Sequence, residues 1–137
     1  MYEIMIEEEF SGAHRLRGYR GKCENLHGHN WKVAVFLRGE KLDRAGLLLD
    51  FHTLRERLDR VLQTLDHKNL NTLPFFRKHN PSSENLARYI FLSLERILPE
   101  KVVRLDRVTI WENQRQCATY YRKEEENAGV SGTRAAL

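Results

Sequence analysis

The sequence predicts a single α+β domain: a four-stranded antiparallel sheet with two helices on one face, in the chain order strand, strand, helix, helix, strand, strand. Three observations carry this. Apolar and polar residues alternate near both ends of the chain, two stretches between them repeat at helical spacing, and 137 residues suffice for one core but not two.

The first strand is expected from Tyr2 to Ala13, with Ile4, Ile6 and Phe10 on one face and Met5, Glu7 and Glu9 on the other. His14 falls at its end. A loop rich in Gly and Arg leads to the second strand, His29 to Gly39, in which Trp31, Val33, Val35 and Leu37 share a face. Asp50 is the expected N-cap of the first helix, whose stripe is Phe51, Leu54, Leu58, Val61, Leu62 and Leu65. Residues 66–81 read as an irregular polar connection. Ser82 or Ser83 then caps a second helix, with Glu84 favoured in the first turn by the helix dipole. Leu86, Ile90, Leu94 and Ile97 form its buried stripe, and Pro99 stops it. Two further strands, Arg104–Asn113 and Cys117–Lys123, form a hairpin. The domain is expected to occupy residues 1–123, with 124–137 a disordered tail lacking apolar pattern. Two helices cover one face of such a sheet, so the other must be polar or find a partner.

Composition narrows the function. No apolar run approaches the roughly 18 residues of a membrane span, and the acidic, alternating N-terminus lacks the basic start of a secretory signal. A cytoplasmic protein is expected. The formal charge is +4 and the pI near 9.2, but no block of like charges appears. That balance suits a phosphorylated small molecule better than nucleic acid. Only Cys23 and Cys117 are present, and a reducing compartment leaves both unpaired. Cys117 reads as a small buried hydrophobe.

The densest chemistry lies in Cys23-Glu24-Asn25-Leu26-His27-Gly28-His29, with His14 upstream. His27 and His29 are two apart, so on an extended chain their imidazoles share a face. A third histidine from a neighbouring strand would complete the ligand set of a zinc ion with one open position. Spacing alone leaves Cys23 as a metal ligand or a substrate-facing thiolate, since a nearby cation and Lys22 would favour its ionised form. Asp66 beside His67 can orient an imidazole and raise its basicity, although such pairs also arise by chance. Glu112, at the end of an apolar strand, can accept two parallel hydrogen bonds from a guanidine-like edge, but spacing alone favours a surface acid flanking a turn. Ser82 and Ser83 are explained as caps, though a helix start can also hold a polar ring.

The motifs, in order, are Phe-Ser-Gly-Ala-His14, the Cys23–His29 stretch, Leu65-Asp66-His67-Lys68-Asn69-Leu70-Asn71, Pro81-Ser82-Ser83-Glu84-Asn85 and Trp111-Glu112. In these the chain resembles the 6-pyruvoyltetrahydropterin synthase and 6-carboxytetrahydropterin synthase family. The resemblance implies zinc on His14, His27 and His29, a catalytic Cys23, an Asp66–His67 pair contributed across a subunit boundary, and Glu112 anchoring a pterin, with Ser82 and Ser83 also at the ring. It implies the tunnelling fold, in which trimers join their sheets into a barrel and two trimers stack as a homohexamer. Cys23 four positions before His27 resembles the bacterial carboxy-pterin branch of queuosine biosynthesis, acting on 7,8-dihydroneopterin triphosphate. Glu24 resembles the branch that forms 6-hydroxymethyl-7,8-dihydropterin for folate, and having both residues resembles a group with both activities. A non-catalytic zinc-binding module and a metal-dependent hydrolase are the alternatives of other classes.

Overall fold

The computed structural model describes residues 1–21, 24–99 and 103–124. Two long strands, β1 (Tyr2–His14) and β2 (His27–Gly39), pair antiparallel in one unbroken register from Tyr2 opposite Gly39 to His14 opposite His27. Helix α1 (Phe51–Gln63) follows, then a two-residue strand β3 (Lys68–Asn69), a 3₁₀ turn at Leu70–Thr72 and a short helix α2 (Pro74–Lys78). Helix α3 (Ser83–Glu95) and the hairpin β4 (Arg104–Asn113) and β5 (Gln116–Tyr121) complete the chain.

The sheet order is β3-β1-β2-β4-β5. Its long strands are antiparallel, as their alternation predicts, but β3 pairs parallel with β1 at Gly12 and Ala13. The sheet is therefore mixed and five-stranded, not four-stranded and antiparallel, and the connection expected to be irregular holds a strand, a 3₁₀ turn and a third helix. That segment also contributes to the core: Leu70 and Phe76 are fully buried.

The described helices cover one face of the sheet. Ile6 and Phe10 of β1, Trp31, Val33, Val35 and Leu37 of β2, and Val108 and Ile110 of β4 meet Leu54, Leu58, Val61 and Leu62 of α1 and Leu86, Ile90 and Leu94 of α3 in one core. Both caps are made as the sequence indicates. Asp50 accepts from the His52 N–H at 2.8 Å, and Ser82, not Ser83, accepts from the Asn85 N–H at 3.1 Å. Phe51 departs from the expected stripe: at the first position of α1 it lies on the solvent side, 53% exposed. Cys117 is likewise exposed rather than buried, because it pairs with Trp111 on the sheet face that none of the described helices covers. The expected tail lies outside the described residues beyond Glu124.

Candidate metal centre

Strand parity builds the site. Phe10, Gly12 and His14 on β1 share the helix-covered face with His27, His29 and Trp31 on β2, and His14 stands directly opposite His27. On the far side of β2, Lys32 pairs with Trp111, so Glu112 projects to the inner face one step further along β4. One ligand atom from each of His14, His27, His29 and Glu112 lies within 4.8 Å of the others. Trp31 floors the cluster. Its ring stands edge-on to His14 and His29, at centroid distances of 4.9 and 5.1 Å, and its Nε1–H donates to the Gly12 carbonyl at 3.1 Å.

Hydrogen bonds outside the cluster choose which nitrogens face inward. Nδ1 of His14 donates to the Pro81 carbonyl at 2.6 Å, and Nδ1 of His27 donates to the Asn25 carbonyl at 2.7 Å. In the neutral rings each Nε2 is then left with a lone pair. These two Nε2 atoms lie only 3.0 Å apart. Two lone pairs that close repel unless a cation lies between them. Burial above all, with the neighbouring imidazoles, lowers the pKa of His14, and burial lowers that of His29, so both favour the neutral form that ligates metals. Nε2 of His29 is buried and, among the described residues, has no well-aligned hydrogen-bond partner, although Glu112 Oε1 lies 2.8 Å away. Glu112 Oε1 is 3.7 Å from His14 Nε2 and 4.0 Å from His27 Nε2. Ligand atoms around a tetrahedral zinc stand roughly 3.3 Å apart for bonds of ~2.0 Å. The three imidazole nitrogens fit such an ion, with Glu112 beside its fourth position.

The other expected residues fall on three segments of the chain. Asp66 Oδ1 lies 3.0 Å from His67 Nδ1 and accepts from the Ser11 N–H at 2.9 Å. The Ser11 N–H, then His67, hold the Asp66 carboxyl below its usual range. The His67 backbone is in the left-handed region, φ 56°, pinned by its N–H to the Ser11 carbonyl at 2.6 Å. His67 is 81% exposed and lines an open depression of about 500 Å³ with Ser11, Asn30 and Lys68. A second cavity, of about 630 Å³, opens beside Glu112, Lys32 and Trp111, and Asn30 borders both. Ser82 is held as a cap directly after Pro81, which brings the start of α3 to the histidines, and Ser83 is partly buried beside it. Glu24 is exposed, and Cys23 lies outside the described residues.

The sequence places Glu112 at the substrate, and the structure sets it beside the imidazoles as well. Its parity with Val108 and Ile110 was the available signal. The Pro81 carbonyl, Asn25 carbonyl and Ser11 backbone contribute through main-chain atoms, which no residue pattern announces.

Three inward imidazoles and a carboxylate at the strand ends of a helix-backed α+β sheet define a mononuclear metal enzyme. Over residues 3–123 the sequence matches the family of 6-pyruvoyl tetrahydropterin synthase, and the chain belongs to that family as one of its lyases. It is 36% identical over 126 residues to a putative 6-pyruvoyl tetrahydrobiopterin synthase of Caenorhabditis elegans, covering 82% of this chain and 89% of the relative. It is 35% identical over 100 residues to a 6-carboxy-5,6,7,8-tetrahydropterin synthase of Synechocystis, covering 69% and 76%. The solved structure of Caenorhabditis elegans 6-pyruvoyl tetrahydropterin synthase superposes with a TM-score of 0.78 at 35% identity, covering 90% of this chain and 98% of that one.

Proposed function

We propose that the chain is a zinc-dependent 6-carboxy-5,6,7,8-tetrahydropterin synthase, converting 7,8-dihydroneopterin triphosphate to 6-carboxytetrahydropterin, acetaldehyde and triphosphate in queuosine (7-deazapurine) biosynthesis. The convergence of His14, His27, His29 and Glu112 carries the reading. The position of Cys23, four before His27, favours the carboxy branch, and relatives named for the carboxy and the pyruvoyl products are similar to the chain at 35% and 36% identity.

When bound, zinc supplies Lewis-acid polarisation of the substrate's side-chain oxygens. Cys23, as a thiolate, takes the proton from the adjacent side-chain carbon. Asp66 holds Nδ1 of His67, leaving the far nitrogen to relay protons as triphosphate departs. Glu112 accepts the N–H edge of the pterin ring, and the start of α3 at Ser82 and Ser83 steadies it. The exposure of His67 on the β3 side of the sheet supports a pair that serves the metal centre of a neighbouring copy in a homohexamer. Glu24 beside Cys23 favours a second reading, formation of 6-hydroxymethyl-7,8-dihydropterin for folate. The pyruvoyl product named for the Caenorhabditis elegans relative is a third outcome.

Mass spectrometry of the product from zinc-loaded protein and 7,8-dihydroneopterin triphosphate separates these. The carboxy-pterin with acetaldehyde is expected. The hydroxymethyl or pyruvoyl product would reassign the branch, and unchanged substrate with zinc bound would leave a non-catalytic zinc module.

A further inference from the structure

We propose that Asn80 is a positioning residue for the metal centre: by fixing the Pro81 carbonyl on Nδ1 of His14, its side chain sets how tightly the imidazoles hold their ion. The proposal rests on reading the cluster as a zinc site.

Beyond His14 the chain leaves β1 without a strand beside it, yet its backbone is still paired. The Arg15 N–H donates to Asn71 Oδ1 at 2.8 Å, and Asn71 Nδ2 donates back to the Arg15 carbonyl at 3.0 Å. Two residues on, the Arg17 N–H donates to Asn80 Oδ1 at 3.0 Å, and Asn80 Nδ2 donates back to the Arg17 carbonyl at 2.8 Å. A carboxamide carries one acceptor and a donor at the spacing of a peptide unit. Each asparagine therefore supplies one rung, and residues two apart on an extended chain present their rungs to the same edge. The side chains of Asn71 and Asn80 continue the pairing that β3 begins at Gly12 and Ala13.

The two rungs differ in what they hold next. Asn71 sits in the 3₁₀ turn, away from the helix start. Asn80 immediately precedes Pro81, and its own carbonyl accepts from Asn85 Nδ2 at 2.9 Å. Ser82 on the other side is fixed as the α3 cap. Proline has no N–H with which to anchor itself, so these neighbours locate the Pro81 peptide. Its carbonyl meets the buried His14 ring at 2.6 Å. Such a bond on the far nitrogen of a ligating histidine fixes tautomer and ring orientation, and its loss typically weakens metal binding about 10- to 100-fold.

The test compares zinc affinity, by chelator competition on the full chain, for the wild type, Asn80→Ala and Asn71→Ala, beside thermal melts of the metal-free proteins. Both substitutions remove two equivalent hydrogen bonds, so a merely structural role would move both alike. The expected result is zinc binding weakened about 10- to 100-fold in N80A, with N71A close to wild type and similar metal-free melts. Asn80→Asp keeps the acceptor for the Arg17 N–H but loses the donor; it is expected to weaken binding as well, and carries the comparison if N80A does not fold. Wild-type affinity in N80A and N80D, or an equal loss in N71A, would overturn the proposal. Failure of the wild type itself to bind zinc would instead overturn the reading of the cluster.

Discussion

Trp31 stands beneath the histidine cluster with its indole N–H on the Gly12 carbonyl, 3.1 Å away, tying β2 to β1 where the two strands deliver their ligands. The side chain is fully buried, so Trp31→Phe removes this hydrogen bond from the core. The expected cost is about 0.5–1.5 kcal/mol of stability, measured by urea unfolding of the metal-free protein. Zinc binding should weaken in the same variant, because the edges of His14 and His29 lose the surface they lean on.

Asp66→Asn should lower kcat by about 10²–10⁴-fold, the range of a lost general acid–base partner, while zinc content and fold persist. If the pair serves a neighbouring copy, inactive D66N mixed and reassembled with an inactive His29→Ala variant should regain part of the activity. Each intact half would then come from a different chain. No recovery on mixing would place both halves of the site within one chain.

Asp59 gives a pH prediction of opposite sign to the usual carboxylate. Asp59 lies on the surface, where desolvation by its neighbours first, then the nearby Glu8, raise its pKa above 3.8, partly offset by Arg55. A raised folded value means that its contribution is fully present below the ordinary value and is lost as pH rises through the folded one. At neutral pH the ionised group opposes folding. Asp59→Asn should therefore raise Tm at pH 7, with the gain shrinking towards pH 3. A gain of the same size at both pH values would show that charge is not the cause.

The start of α3 offers a simpler comparison. Ser82 holds the Asn85 N–H and Ser83 does not, so Ser82→Ala should cost about 1 kcal/mol and Ser83→Ala less than about 0.5 kcal/mol in denaturant unfolding. Equal losses would contradict the cap assignment.

The long strands and both capped helices were legible because each repeats a period often enough to declare its buried face. The same parity announced that His27 and His29 share a face, and the β1–β2 register then brought His14 opposite. β3 was not legible, since two residues carry no period and its pairing with Gly12 and Ala13 is a tertiary event. α2 is five residues opened by Pro74, too short for a stripe, and its burial of Phe76 depends on what packs above it. Phe51 fits a helical stripe by spacing but sits at the first helical position, where the face turns to solvent. Glu112 looked like a turn-flanking acid because the chain alone does not say that β4 lies beside β2.

Three imidazoles from two strands are expected to hold one ion, with Glu112 beside it for the pterin, and metal titration tests this most directly. Purified chain stripped with a chelator and titrated with zinc should show a single tight site, and His29→Ala should lose it while keeping the wild-type circular dichroism spectrum. Zinc bound as tightly by His29→Ala as by the wild type, or no tight site in the wild type, would contradict the account.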